Sequence, residues 1–149
     1  MGGDVMLFRH ILVAYDGSKQ AVKALEKAVG LVEACGGGTK LTVVHILNLA
    51  PIMTGDMLFA PTAAMETLAV ERAEAVVAEA KLKTAPVVRA TVEMHLGTPA
   101  KMVLSLAEEH GCDLIVLGSR GLGKLREFVL GSVSQHVVQY AKIPVLVVK

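Results

Sequence analysis

Four short blocks of this chain are almost wholly apolar and rich in β-branched residues: HILVAY (10–15), KLTVVHIL (40–47), DLIVLG (113–118) and PVLVV (144–148). A strand with one solvated face alternates apolar and polar residues, whereas a strand covered on both faces reads as a nearly unbroken apolar run. Blocks of this kind therefore demand layers above and below them. Segments of helical periodicity lie between the blocks and supply those layers. After Asp16-Gly17-Ser18, the apolar residues Ala21, Val22, Leu25, Ala28, Val29 and Val32 recur every three or four positions until Gly36-Gly37-Gly38. Strands that alternate with helices pair in parallel through right-handed crossovers, so the expected class is α/β, a single-domain open parallel sheet with helices on both faces.

The remaining segments extend the pattern. Met65, Leu68, Ala69, Ala73, Val76, Val77 and Ala80 mark a helix that begins near Thr62 and stops before Pro86. In VVRATVEMHLG (87–97), Val88, Ala90, Val92, Met94 and Leu96 alternate with Arg89, Thr91, Glu93 and His95, as in a sheet-edge strand with one wetter face. Thr98-Pro99 is a good helix start, with a hydroxyl to cap free N–H groups and a proline preset for the first helical position. A last helix is expected over 132–142, with Val133, Val137 and Val138 facing inward. Asn48 to Pro61 reads as a long loop, with a glycine and prolines at 51 and 61, able to close over a site.

Composition narrows the function. The 149 residues suit one core. Fifteen Lys and Arg against 14 Asp and Glu leave a net charge of +1, which provides no general field for nucleic acid or an anionic membrane. Mean hydropathy is high at +0.55, yet no apolar run approaches the ~20 residues of a spanning helix. The start, MGGDVMLFRH, lacks a signal-peptide pattern, and Met6 occupies the hydroxyl position of a myristoylation signal; an unprocessed cytoplasmic protein is expected. Cys35 and Cys112 are isolated, without zinc or disulfide spacing, and read as ordinary buried thiols.

One loop carries chemistry. GSRGLGKL (118–125) resembles a Walker A loop but has Leu125 where the Mg²⁺-binding hydroxyl belongs. The glycines continue to Gly131-Ser132, giving the spacing Gly118, two residues, Gly121, nine residues, Gly131-Ser132. Glycines at 118 and 121 let backbone N–H groups approach phosphate oxygens, and the start of the last helix offers a second anion cradle with the Ser132 hydroxyl. In an open parallel sheet, ligands bind beyond the carboxyl ends of the strands where strand order reverses, which brings Asp16, after the first strand, opposite this loop.

With these residues assembled, the chain closely resembles the universal stress protein family, specifically its ATP-binding branch. The resemblance rests on ILVAYDGS, VVHI, GTPA, DLIVLGSRGLG, LGSVS and PVLVV. It implies a five-stranded parallel sheet of order 3-2-1-4-5, Rossmann-like and similar to the adenine nucleotide alpha hydrolases. It implies a universal stress protein domain over 9–149, preceded by an extension over 1–8. It also implies ATP, with Mg²⁺, across the carboxyl ends of the strands. Asp16 would sit at the adenosine end and the backbone of Ile46 at adenine; Gly118, Gly121, Gly131, Ser132, Val133 and Ser134 would hold ribose and phosphates, with Arg120 a candidate phosphate contact. A homodimer through the last strand, Pro144 to Val148, is implied as well, in a cytoplasmic stress-response protein.

No residue offers itself as a catalytic base, so the expectation is a nucleotide-dependent switch or chaperone-like regulatory dimer, at most a slow ATPase or autokinase. A nucleotide-free dimeric scaffold is the alternative. An adenylyl-transferring enzyme would need SGGxDS or a HIGH-type motif, and AYDGSKQ supplies neither. His45 is expected to be packed or near the adenine side, and Glu108, Glu109 and His110 to form a solvated helix end.

Overall fold

The computed structural model describes residues 7–120 and 130–149. Gly121, and the rest of the glycine loop to residue 129, lie outside the described residues. The elements are β1 (His10–Ala14), α1 (Lys19–Ala34), β2 (Lys40–Leu47), β3 (Ile52–Thr54), β4 (Met57–Phe59), α2 (Ala63–Thr84), β5 (Ala90–Leu96), α3 (Pro99–Glu109), β6 (Leu114–Gly118), α4 (Ser132–Tyr140) and β7 (Val145–Val148). Five strands form one sheet of order β5-β2-β1-β6-β7, all paired in parallel. Counted among sheet strands alone this is the order 3-2-1-4-5. The reversal point falls between β1 and β6.

Each sheet face carries its own core. Ile11, Val13, Leu41, Val43 and Val116 point to one side, where Leu25, Ala28 and Val32 of α1 and Ala80 of α2 cover them. Leu12, Val44, Ile115 and Leu117 point to the other, under Val103 and Leu106 of α3 and Val137 of α4. The central strands are thus buried on both faces, which is why they read as unbroken apolar blocks. A polar chain also crosses the sheet. His10 Nδ1 lies 3.1 Å from the His110 carbonyl, an obligate acceptor, so Nδ1 carries the proton and Nε2 accepts from the Thr42 hydroxyl at 2.7 Å. Thr91 follows at 3.4 Å from Thr42.

Several local expectations change. Asn48 to Pro61 is not a plain loop: β3 and β4 form an antiparallel hairpin turned at Gly55, with Ile52, Met53, Met57, Leu58 and Phe59 all exposed. On α2, Met65 and Leu68 are exposed, because only the later part of this helix lies over the sheet, where Ala73 and Ala80 are buried. Thr98 makes no side-chain cap, although Pro99 does open α3. The last helix stops at Tyr140, and Val138 faces out while its neighbour Val137 is buried. On β5 the expected wetter face is partly covered towards its end. Glu93 accepts from His95 Nε2 at 2.8 Å and from His110 Nε2 at 3.2 Å, while Glu108, Glu109 and His110 remain exposed, the solvated helix end expected of them. Burial pushes Glu93 upward, but these hydrogen bonds outweigh it and hold the carboxyl below its usual range. Cys112 is buried and its thiol is pushed up to about 11, mainly by that burial; Cys35 is half-buried. No helix among the described residues is long and apolar enough to cross a membrane.

Candidate functional site

A cavity of about 390 Å³ opens at the carboxyl ends of β1, β2 and β6, a size that suits a small-molecule ligand. It lies where strand order reverses, as the sheet topology requires. Its floor is apolar, made by Val44, Val103 and Leu117. Asp16, Ile46, Gly118, Arg120, Gly131, Ser132, Val133 and Ser134 all line it. The structure therefore gathers every site residue expected from the sequence, except Gly121, which it does not describe. It adds Tyr15, Ser18 and Pro99, and His45, expected to be packed or near the adenine side, lines the same cavity.

Each part of the wall has a local cause. β1 ends when Gly17 takes a positive φ of 82°, turning the chain into α1. Ser18 caps that helix by accepting from the Ala21 N–H at 3.1 Å, and the Asp16 carboxylate accepts from the Ser18 N–H at 2.9 Å through Oδ1. Tyr15 is buried, and its hydroxyl donates to Glu79 of α2 at 2.9 Å. Burial and the Glu79 carboxylate both push the phenol pKa up, so it remains a donor.

Gly118 serves packing. A Cβ there would come within 2.6 Å of the Gln20 Cβ and 2.8 Å of the Gln20 carbonyl carbon, so the absent side chain makes room for the first turn of α1. At the other wall, the Gly131 N–H is already spent on the Ser119 carbonyl at 2.8 Å. The buried Ser134 hydroxyl donates to the carbonyls of Ser119 at 2.8 Å and Gly131 at 3.0 Å. Both residues fasten α4 to the end of β6. Among the described residues, the N–H groups of Ser132, Val133 and Ser134, on the first turn of α4 where no intrahelical acceptor exists, have no acceptor and stand at the positive end of the helix dipole.

Ile46 contributes backbone. The Val44 carbonyl accepts from Tyr15 at 2.9 Å, so even-numbered residues of β2 point their N–H and C=O towards β1. Leu41 and Leu47 bond on the β5 side, to Arg89 and Gly97, at 3.0 Å each. The β1 ladder stops at Ala14 opposite Val44, so Ile46 presents a donor and an acceptor past its end, at the cavity wall.

A sequence model described as the Universal stress protein family matches residues 7–149. The chain belongs to the universal stress protein family. Among its relatives is a protein of Thermus aquaticus, the universal stress protein in the QAH/OAS sulfhydrylase 3' region. It is 41% identical over 143 residues, covering 96% of this chain and all of the relative. The universal stress protein UspA from Lactobacillus plantarum shares the fold with a TM-score of 0.72 at 24% identity, covering 95% of this chain and 97% of that one. A universal stress protein solved in complex with cAMP superposes with a TM-score of 0.60 at 25% identity, covering 95% and 97%.

Within this universal stress protein, sequence reasoning pointed to the cavity through its glycines and Asp16. It missed a packing demand on those glycines. Gly118 and Gly131 carry the right spacing for reasons of packing and capping, and spacing alone does not distinguish a glycine that admits a phosphate from one that admits a helix.

Proposed function

We propose that this universal stress protein binds ATP, accompanied by Mg²⁺, in the cavity at the β1–β6 reversal point, and uses occupancy to regulate its surface in a cytoplasmic stress response. The observation that carries the reading is a convergence, on one cavity, of backbone hydrogen-bonding groups that have no partner among the described residues. The Ile46 backbone offers a donor and an acceptor to the edge of a planar base. Opposite, the first turn of α4 offers three N–H groups to an anion. Asp16 lies between as an acceptor for ribose hydroxyls, over a floor apolar enough to bury a base. That a relative of the same fold was solved with cAMP supports an adenine nucleotide as the ligand class. The metal is assigned to the phosphates, since the described residues contain no group of three His, Cys, Asp or Glu side chains able to hold it. Among the described residues no side chain is assigned as a catalytic base, which favours a binding protein with at most slow turnover. Among the described residues the outer edge of β7 has no strand partner, and it is assigned to a homodimer contact.

The test is to denature freshly purified protein, identify released nucleotide by chromatography and mass spectrometry, then titrate the stripped protein with MgATP and cAMP by calorimetry. Released ATP or ADP with saturable rebinding is expected, at a solution mass of two chains. No nucleotide and no heat would refute the ligand and bring forward the nucleotide-free scaffold.

A further inference from the structure

We propose that His45 is a positioning residue that holds the base-reading edge of the site open. In a parallel ladder, the rung after Tyr15 N–H to Val44 O is Ile46 N–H to Tyr15 O. That rung is not made among the described residues. The Tyr15 carbonyl instead lies 2.8 Å from Nδ1 of His45. A carbonyl can only accept, so the Nδ1 proton fills the place the Ile46 N–H would have taken. The consequence is twofold. β1 is released from the sheet one residue early, which lets Tyr15 to Gly17 turn away and form the cavity mouth. The Ile46 N–H and C=O, which would otherwise extend the ladder, remain unspent beside the cavity. An open backbone edge inside a sheet is normally closed by its neighbour, and here a side chain reaches across the end of β1 to prevent the closure.

The chemistry this protects is recognition of a flat ligand edge that has an acceptor beside a donor, as on adenine. The second step rests on the nucleotide reading above; the first, that His45 keeps the Ile46 amide unpaired, does not. Two measurements separate them. Amide hydrogen exchange of Ile46, followed by NMR in protein stripped of nucleotide, reads the first directly. The native amide should exchange without protection, whereas His45→Phe, which keeps a ring but has no donor, should slow it by about tenfold or more as the ladder extends. His45→Asn retains an N–H donor on the δ atom and should restore native exchange. If His45→Phe does not fold, His45→Ala is read in the same way.

Calorimetry with ATP and with inorganic tripolyphosphate then reads the second step. His45→Phe should weaken ATP about tenfold, the worth of one well-placed hydrogen bond, and leave tripolyphosphate unchanged because it has no base. An Ile46 amide already protected in the native protein, or one that exchanges identically in the native and donor-free proteins, overturns the positioning role. An exchange effect without any ATP binding upholds the role of His45 and overturns the nucleotide reading. An equal loss for ATP and tripolyphosphate overturns base reading by Ile46.

Discussion

Gly118→Ala should destabilise the whole fold rather than disable the cavity alone. The new Cβ would stand 2.6 Å from the Gln20 Cβ, 2.8 Å from the Gln20 carbonyl carbon and 3.1 Å from the Ala21 nitrogen. Ordinary carbon contacts are about 3.5 to 4.0 Å, so β6 and the first turn of α1 must separate by roughly 1 Å. Neither can move freely. Gly118 is in register with Val148 of β7, and α1 is held by the Ser18 cap and by Leu25, Ala28 and Val32 in the core. Overpacking of this kind costs about 1 to 3 kcal/mol, and the backbone partner places this site towards the upper end. For a chain of this size each kcal/mol lowers Tm by about 2 to 4 °C, so a fall of about 4 to 10 °C is expected. Gly30→Ala is the control. Gly30 is exposed in α1, a Cβ there would meet nothing within 4 Å, and the exchange should stabilise by about 0.5 to 1 kcal/mol. Differential scanning fluorimetry and urea titration of both variants give the comparison. An unchanged Tm for Gly118→Ala would refute the packing account and return Gly118 to a ligand-facing role.

Two further outcomes follow from buried polar groups. Ser134→Ala removes the hydroxyl that ties α4 to the Ser119 carbonyl, and should cost about 1 to 2 kcal/mol in urea titration; a loss under about 0.3 kcal/mol would place the clasp elsewhere. His10 is held below the ordinary histidine value of 6.5, chiefly by burial. Its neutral form is the folded one, so its contribution is intact above pH 6.5 and is lost as pH falls towards the lowered folded value. His10→Gln should flatten the stability profile in that window, and an unaltered slope there would contradict the assignment.

How much of this was legible in the sequence depended on how local each cause is. The strands of the sheet interior were plain because burial on both faces leaves an apolar run, and the cavity was plain because Asp16 and the glycines fall after strands that topology makes neighbours. The hairpin Ile52–Phe59 was not. Its apolar residues occupy both of its faces without alternation, and Gly55 with the flanking Pro51 and Pro61 are equally the marks of an irregular loop. The exposure of Met65 and Leu68 was hidden for a related reason: periodicity shows which face of a helix is apolar, but not where along its length the sheet beneath it ends. The hydrogen bond from His110 to Glu93 joins residues 17 apart, at the end of α3 and on β5, and no local pattern announces it.

The same long-range contacts give the switch reading a physical route. The hairpin follows β2, whose Ile46 lines the cavity, and leads into α2, which contacts the corner from Tyr15 to Gly17. The Tyr15 hydroxyl bonds Glu79 of α2, and Gly17 sits close enough to Val76 that even an added methyl would be in contact at 3.4 Å. A ligand that displaces the corner from Tyr15 to Gly17 must therefore strain α2 or move it, because packed side chains change between discrete arrangements more readily than they deform. An exposed apolar hairpin at the far end of that helix is well placed to report the movement. Under this mechanism the coupling should pass through the Tyr15 hydroxyl. Tyr15→Phe should leave MgATP affinity within about threefold, since the ring is kept and the hydroxyl's partner, Glu79, does not line the cavity, while abolishing any nucleotide-dependent change in hydrogen exchange over 52–68. If that exchange responds to nucleotide equally in the native and Tyr15→Phe proteins, the hairpin is not driven through α2.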